Sequence, residues 1–142
     1  MKLKTFLKEN NYSAISLKKI KTNHIQVKAE VNDVKGIFIV DTGASNSCIN
    51  LEHYELFKIF AKESSEKASS ATEKISKTMI SNKNKIKIGR WTKKNISIVL
   101  FDMSFINKTL KEHGSTSVNG IIGSDLLKRV KQLLITLKIN FI

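Results

Sequence analysis

The sequence contains no proline, a single cysteine and only six glycines among its 142 residues. Because one cysteine cannot form an intrachain disulfide, a reducing compartment is expected. The absence of proline and the small number of glycines, together with 41% apolar residues, argue against a disordered chain. The length is typical of one domain, so we predict a single domain over residues 1–142.

Long apolar runs are also missing from the chain. No stretch approaches the length that spans a bilayer. The basic segment over residues 1–10 lacks the long apolar core that characterises a secretory signal. Together these features predict a cytoplasmic protein without a membrane span.

Arginine is nearly absent, although the formal net charge is +13. Only two of the 25 basic residues are arginines, and the lysines are scattered along the chain in ones and twos. Nucleic-acid-binding proteins usually show arginine forks, clustered basic faces or aromatic stacking platforms. The composition therefore favours a solvated lysine-rich surface with no specific nucleic-acid partner. A basic nucleic-acid-associated protein stays open as an alternative.

Residue clusters that hold a metal or a cofactor are absent as well. His24, His53 and His113 are isolated, with no His-x-x-x-His or Cys-x-x-Cys spacing, and no glycine-rich phosphate loop occurs. We therefore predict no metal site and no cofactor. Cys48 has no catalytic-cysteine signature and is predicted to be a buried packing residue. Asp125 is predicted to favour a helix N-terminus rather than to take part in catalysis.

Hydrophobic periodicity indicates a β-rich chain with a few short helices. Helices are predicted over 2–9, over 51–60 after an Asn50 cap, from Asp102 or Ser104 to Gly114, and over 125–130 after a Ser124 cap. Strands are predicted over 13–20, 24–31, 37–40, 47–49, 75–80, 86–88, 96–101, 118–123 and 133–141. Turns are predicted at 32–36, 82–84 and 89–95, and a surface loop or hairpin at 61–73. Short hairpin-linked strands of this number favour an all-β barrel or folded sheet.

The N-terminal residues 1–12 are predicted to form a helical extension of this domain. Leu3, Phe6 and Leu7 lie at helical spacing and are flanked by lysines. Docking of this apolar face on the domain's own core is the favoured interpretation, and a membrane-surface role is the alternative.

The stretch around Asp41 carries the clearest functional signal. Four consecutive apolar residues, 37–40, predict a buried strand that runs directly into Asp41-Thr42-Gly43. Ending a buried strand on a carboxylate is unfavourable unless the carboxylate has a function. Asp41 is therefore the first candidate for a catalytic residue. A second apolar strand ends in the same way on glycine, at Ile121-Ile122-Gly123.

The segment Phe38-Ile39-Val40-Asp41-Thr42-Gly43-Ala44-Ser45, with Ile121-Ile122-Gly123 downstream, resembles the retropepsin-like aspartic proteases, especially small bacterial members. The resemblance spans roughly residues 23–142. It implies an all-β closed barrel with a few short helices and one lobe per chain. It also implies that Asp41 is catalytic, that the site geometry depends on Thr42, Gly43, Ala44 and Ser45, and that the supporting strand contains Ile121, Ile122 and Gly123.

The chemistry of this family requires two carboxylates that share one proton, so that one activates a water while the other polarises the scissile carbonyl. This chain has a single Asp-Thr-Gly, and a two-fold symmetric homodimer would bring two copies of Asp41 together. By resemblance, Thr42 bonds across the axis, Gly43 offers its N–H to the carboxylate and permits a tight turn, and Ser45 bonds an outer carboxylate oxygen. The predicted function is an endopeptidase that hydrolyses peptides or proteins as an obligate homodimer.

Two positions depart from the family pattern. The region of the substrate-covering flap, about residues 64–78, contains no glycine, and Thr136 stands in the final strand where an aspartate is expected. The first departure keeps open a catalytically inactive peptide-binding or assembly module with the same fold. The second is expected to affect stability more than chemistry.

Overall fold

The computed structural model of the chain describes residues 2–60, 62–63 and 78–130. The helices among them are α1 (Leu3–Glu9), α2 (Ser104–Glu112), α3 (Ser124–Val130) and one short 3-10 helix (Leu51–His53). The strands are β1 (Lys18–Lys19), β2 (Ile25–Val31), β3 (Val34–Val40), β4 (Cys48–Asn50), β5 (Lys62–Glu63), β6 (Met79–Ile88), β7 (Trp91–Phe101) and β8 (Gly120–Ile122).

Six of these strands close into a barrel in the order β2-β3-β8-β4-β7-β6. The ring closes because β6 pairs back to β2, with Lys87 opposite Glu30 and Ile86 opposite Val31. Strands β1 and β5 lie outside the ring and pair with β2 and β6. The predicted β-rich closed barrel of one lobe, with a few short helices, is confirmed.

The interior of the barrel is filled by apolar side chains that alternate along its strands. In β2, for example, Val27, Ala29 and Val31 are buried on one face of the strand, whereas Lys28 and Glu30 lie on the other. The largest buried cluster contains Val27, Ala29, Val31, Phe38, Ile49, Phe57, Ile59, Ile86, Ile88, Ile96, Ile98, Leu100, Ile122 and Leu126. This core holds the ends of β3 and β8 in fixed positions.

The predicted hairpin between β2 and β3 is confirmed, although its turn is shorter than expected. Only Asn32 and Asp33 form the turn, with φ angles of 50° and 68° that match the mirror-image turns of tight hairpins. Gly36 lies inside β3, opposite Ala29. The strand that delivers Asp41 is therefore paired along its full length.

The helix predicted over 51–60 is wrong, because only the turn Leu51–His53 is helical. Asn50 does accept the N–H of Glu52, at 3.3 Å. The segment then departs from a helical face: Phe57 is fully buried, whereas Phe60 is 90% exposed. The Asn32 side chain donates to the carbonyl of Phe57 at 2.9 Å, so this backbone group bonds the β2–β3 turn instead of a helix.

The two short strands predicted over 75–80 and 86–88 are one strand in the described region, β6. The predicted turn at 82–84 is an irregularity within this strand, with Lys83 at a φ of 64°. The buried Asn84 side chain donates to the carbonyls of Ser81 and Ile96 at 3.2 and 3.3 Å, which supplies partners where the ladder is interrupted. The predicted turn at 89–95 is reduced to Gly89–Arg90, and β7 starts at Trp91.

Several predicted boundaries also differ. The strand predicted over 13–20 is only β1, the strand over 118–123 is only β8, and Ser124 is the first residue of α3 rather than its cap. The predicted loop over 61–73 and flap region over 64–78 lie outside the described residues, apart from β5 and Thr78. The predicted final strand over 133–141, with Thr136, also lies outside them.

The N-terminal helix α1 does not dock on the core as predicted. None of its residues is buried, and Leu3 and Phe6 are 48% and 51% exposed. Instead Ile15, which follows the helix in the chain, packs against the core. Among the described residues, no helix is long and apolar enough to cross a membrane.

Candidate active site

The candidate site is the loop over residues 41–47, which joins β3 to β4. Strand β8 lies between these two strands, parallel to β3 and antiparallel to β4. The loop must therefore pass over the end of β8. The N–H of Asp41 continues the ladder by donating to the carbonyl of Ile122 at 3.0 Å, so the start of the loop is held by the barrel.

The Asp41 carboxylate lies at the surface, directly after the buried end of β3. Its Oδ1 accepts the N–H of Gly43 at 2.9 Å, and its backbone carbonyl accepts the N–H of Ala44 at 3.2 Å. Thr42, Gly43 and Ser45 are also exposed. The backbone of the loop therefore orients the carboxylate while leaving its surroundings open to a second molecule.

The glycine at the end of β8 makes room for this loop. A Cβ atom on Gly123 would lie 2.6 Å from the carbonyl oxygen of Ala44, and the N–H of Ser124 donates to the same oxygen at 2.7 Å. A side chain at this position would push the loop away from β8 and α3. The need for glycine after Ile121-Ile122 thus follows from backbone contact with the candidate site.

Gly43 has a weaker steric requirement within one chain. Its φ is not positive, and a Cβ atom there would meet only Asp41 Oδ1, at 3.3 Å. The structure gives Gly43 the N–H contact with the carboxylate, but no backbone conformation that demands glycine. Ser45 makes no hydrogen bond to the Asp41 carboxylate within the described part of the chain, so its expected contact is not present in a single subunit.

Ser47 and Asp125 form a contact that no sequence pattern predicts. The buried Ser47 hydroxyl donates to Asp125 Oδ1 at 2.7 Å and accepts the N–H of Gly123 at 2.9 Å. This hydroxyl joins the end of the loop to the first turn of α3 and to the end of β8. The only signal in the sequence was a serine immediately before an apolar strand, which is too common to be informative.

We predict that Ser47→Ala destabilises the barrel by about 2–3 kcal/mol, because it leaves the buried N–H of Gly123 without its acceptor and removes the donor of the Asp125 carboxylate. Urea unfolding monitored by Trp91 fluorescence measures this effect. The exposed Ser45→Ala is the matched control, with an expected change below about 0.5 kcal/mol. Equal effects of both substitutions would contradict the role assigned to the Ser47 hydroxyl.

Cys48 and the possible metal ligands do not form a second candidate site in the described part of the chain. Cys48 is buried, as predicted, and burial raises the pKa of its thiol to about 12, with a further contribution from the carboxylates of Asp125 and Asp41. The thiol therefore stays protonated and unreactive near neutral pH. Within residues 2–60, 62–63 and 78–130, no three histidine, cysteine or acidic side chains are grouped in a way that could hold a metal ion.

Comparison with known proteins identifies the family to which the chain belongs. The family profile described as Aspartyl protease matches residues 27–126, which include the loop over 41–47, strand β8 and Asp125. The chain belongs to the aspartyl protease family. The matched region begins after α1. No curated protein matches the sequence.

Solved structures of proteases share the fold of this family member. A retropepsin-like aspartic protease from Rickettsia conorii is 22% identical with a TM-score of 0.57, and the match covers 87% of this chain and 90% of that one. EIAV protease in complex with an inhibitor is 17% identical with a TM-score of 0.55, over 88% and 96% of the two chains. The retroviral protease-like domain of Ddi1 from Leishmania major is 17% identical with a TM-score of 0.54, over 82% and 88%. The retropepsin-like fold is therefore shown.

Proposed function

We propose that this aspartyl protease is an endopeptidase and that its active form is a homodimer with one catalytic Asp41 from each chain. One observation carries the proposal: a surface carboxylate, oriented by the N–H of Gly43 at 2.9 Å, stands at the end of a buried barrel strand. The sequence contains only one Asp-Thr-Gly, so a single chain supplies one such group. A two-fold axis beside Asp41 would supply the second.

The proposed reaction uses the two carboxylates in different protonation states. Two like charges in close contact do not both ionise easily, so the reactive form of the pair shares one proton between the two carboxylates. The ionised carboxylate takes a proton from a water molecule as the water oxygen bonds to the scissile carbonyl carbon. The protonated carboxylate gives its proton to the carbonyl oxygen. As this diol intermediate collapses, the C–N bond breaks, and the carboxyl that took the proton from water gives it to the amine nitrogen. The other carboxylate takes a proton from a diol hydroxyl, which restores the starting state of the pair.

The other residues of the site have positioning roles in this proposal. Gly43 holds one carboxylate oxygen through its N–H, and Gly123 lets the loop lie on the end of β8. Ile121 and Ile122 form the supporting strand, with Ile122 bonded to the N–H of Asp41. We assign Thr42 to contact with the partner chain across the axis. Ala44 and Ser45 complete the loop.

The proposed substrate is a peptide or protein, and no cofactor takes part in the reaction. We place the protease in the cytoplasm, since its one cysteine is a buried thiol that does not depend on an oxidising compartment. The proposed domain spans residues 1–142, with residues 1–12 as an extension.

A subunit-mixing experiment tests whether two chains share one site. Inactive Asp41→Asn protein is added in threefold excess to the wild type and allowed to exchange subunits. If each active site needs Asp41 from both chains, random exchange leaves about one quarter of the original peptidase activity. Native mass spectrometry measures the mixed dimers, and Asp102→Asn protein, which keeps Asp41, is the control and is expected to add activity.

Mixed dimers that form while activity stays unchanged would contradict the shared site. Where no peptide in an unstructured panel is cleaved, a peptide analogue with a hydroxyl in place of the scissile carbonyl provides a second measurement. Binding of this analogue without turnover of any peptide would identify an inactive peptide-binding module and overturn the proposed endopeptidase.

A further inference from the structure

The helix α1 presents an apolar surface that the barrel leaves uncovered. Leu3 and Phe6 are about half exposed, and Tyr12, which follows the helix, is 45% exposed. The helix end is well ordered by hydrogen bonds: the N–H of Tyr12 donates to the carbonyl of Leu7 at 2.9 Å, and the side chain of Asn10 donates to the carbonyl of Phe6 at 2.8 Å. These apolar groups therefore face solvent from a folded element.

The chain after α1 is anchored at the turn between β6 and β7. The side chain of Ile15 packs against Gly89, where an added Cβ atom would lie 2.9 Å from it. Ile15 lies six positions beyond the end of α1 at Glu9, and six residues of extended chain span at most about 20 Å. The end of α1 therefore lies within about 20 Å of the β6–β7 turn.

Both of these segments are strongly basic. Residues 2–12, which include α1, contain three lysines and one acidic residue, Glu9, and residues 83–94 contain five lysines, Arg90 and no acidic residue. Two of the lysines, Lys85 and Lys87, pair with Asp33 and Glu30 at 2.7 and 3.8 Å. Within the described chain, Arg90, Lys93 and Lys94 at the turn have no ion-pair partner.

We propose that α1 and the β6–β7 turn together form a surface that binds an anionic lipid bilayer. Leu3 and Phe6 would enter the boundary between headgroups and acyl chains, while the lysines of α1 and the charges of Arg90, Lys93 and Lys94 contact acidic headgroups. An apolar helical face bordered by lysines is the pattern of helices that lie in a membrane interface.

The charge and the side chains distinguish this partner from two others. A second copy of the chain would bring equal positive charges together on this surface, which opposes association here. An RNA strand is held mainly by arginine forks and aromatic platforms. This surface has one arginine, Trp91 is partly buried in the core, and the exposed aromatic side chains Phe6 and Tyr12 are accompanied by the exposed aliphatic Leu3, which cannot stack on bases. An anionic bilayer can bind both kinds of group, since its interface accepts the exposed leucine and its headgroups attract the lysines.

Vesicle flotation tests the proposal with phosphatidylcholine vesicles that contain or lack about one third phosphatidylserine. We expect the intact protein to bind only the anionic vesicles. It should dissociate at 0.5 M salt, because the Debye length is then only about 4 Å and the charges are screened. The double variant Leu3→Ser/Phe6→Ser and the triple variant Arg90→Gln/Lys93→Gln/Lys94→Gln should each lower the partition coefficient by about tenfold or more.

Matched controls test whether the position of these residues matters, by removing the same types of side chain elsewhere on the surface. Phe105→Ser removes a phenylalanine that is 80% exposed on α2, and Lys108→Gln/Lys111→Gln/Lys128→Gln removes three positive charges elsewhere on the surface. We expect each control to change the partition coefficient by less than about twofold. Circular dichroism verifies that every variant keeps the barrel.

Three results would overturn the proposal. These are an absence of binding to the anionic vesicles, equal losses for the two triple variants, and unchanged binding by the Leu3→Ser/Phe6→Ser protein. Tighter binding to single-stranded RNA than to the vesicles, with the same dependence on Arg90, Lys93 and Lys94, would assign the surface to nucleic acid instead. None of these measurements depends on peptidase activity, so the proposal stands or fails separately from the proposed function.

Discussion

Replacement of Asp41 by asparagine is expected to lower peptidase activity by roughly four orders of magnitude, because the dimer would lose both the group that takes a proton from water and the group that protonates the carbonyl oxygen. The folded structure should be unaffected. Asparagine keeps an Oδ1 atom that accepts the N–H of Gly43, now bonded to Asp41 at 2.9 Å. Initial rates on an unstructured peptide and thermal melting measure the two effects.

Asp102 provides a closely matched control for this substitution. It is also an exposed aspartate whose Oδ1 accepts a backbone N–H two residues later, that of Ser104 at 2.8 Å. This hydrogen bond lowers the pKa of the Asp102 carboxyl. Asp102→Asn makes the same chemical change in the same local geometry and should keep full activity. Equal activities of Asp41→Asn and the wild type would show that hydrolysis does not use this carboxylate.

Gly120→Ala is expected to destabilise the barrel by about 4 kcal/mol or more. Gly120 lies in β8, between Phe38 of β3 and Ile49 of β4. An added methyl group would collide with the backbone carbonyl oxygen of Cys48 and would lie 3.0 Å from the Phe38 ring. A carbonyl within a paired strand cannot rotate away, so β8 must move from its place in the ring. Since small domains are stable by only about 5–15 kcal/mol, this loss removes a large share of the free energy of unfolding.

Urea unfolding compared with Gly43→Ala tests this expectation. The second substitution makes the same chemical change at an exposed position where the nearest atom is the movable Asp41 carboxylate, so its effect on the free energy of unfolding should be below about 1 kcal/mol. Similar midpoints for the two variants would show that β8 can shift without loss of the barrel. Wild-type stability of Gly120→Ala would contradict the close pairing of β8 with β4.

The strands of this barrel illustrate what could be predicted from local pattern. The alternation in β2 identified its buried face, because side chains of a strand point to opposite sides in turn. The apolar residues before Asp41 likewise indicated a buried strand. Prediction failed where a tertiary contact overrides local preference. At Phe57, the carbonyl bonds Asn32 instead of continuing a helix, and at Asn84 a buried side chain completes the ladder of an interrupted strand.

Some features of the candidate site could likewise be predicted from local pattern, whereas others depend on tertiary contacts. Asp41 and Gly123 were identified from their positions after apolar strands, but the reason for the glycine, contact with the carbonyl of Ala44, depends on residues about eighty positions apart. The Ser47–Asp125 hydrogen bond joins residues separated by 78 positions, and no local pattern reports it. A common residue such as serine acquires its role only from its neighbours in space.

By itself, the sequence determined that the chain is a β-rich domain with one acidic motif, because burial and periodicity are local properties of the residues. Only the tertiary structure decided that β6 closes the ring on β2, that the loop over 41–47 rests on the end of β8, and that the apolar side of α1 remains uncovered. These features depend on which distant segments meet. That choice is made by the packing of the whole core and not by any one segment.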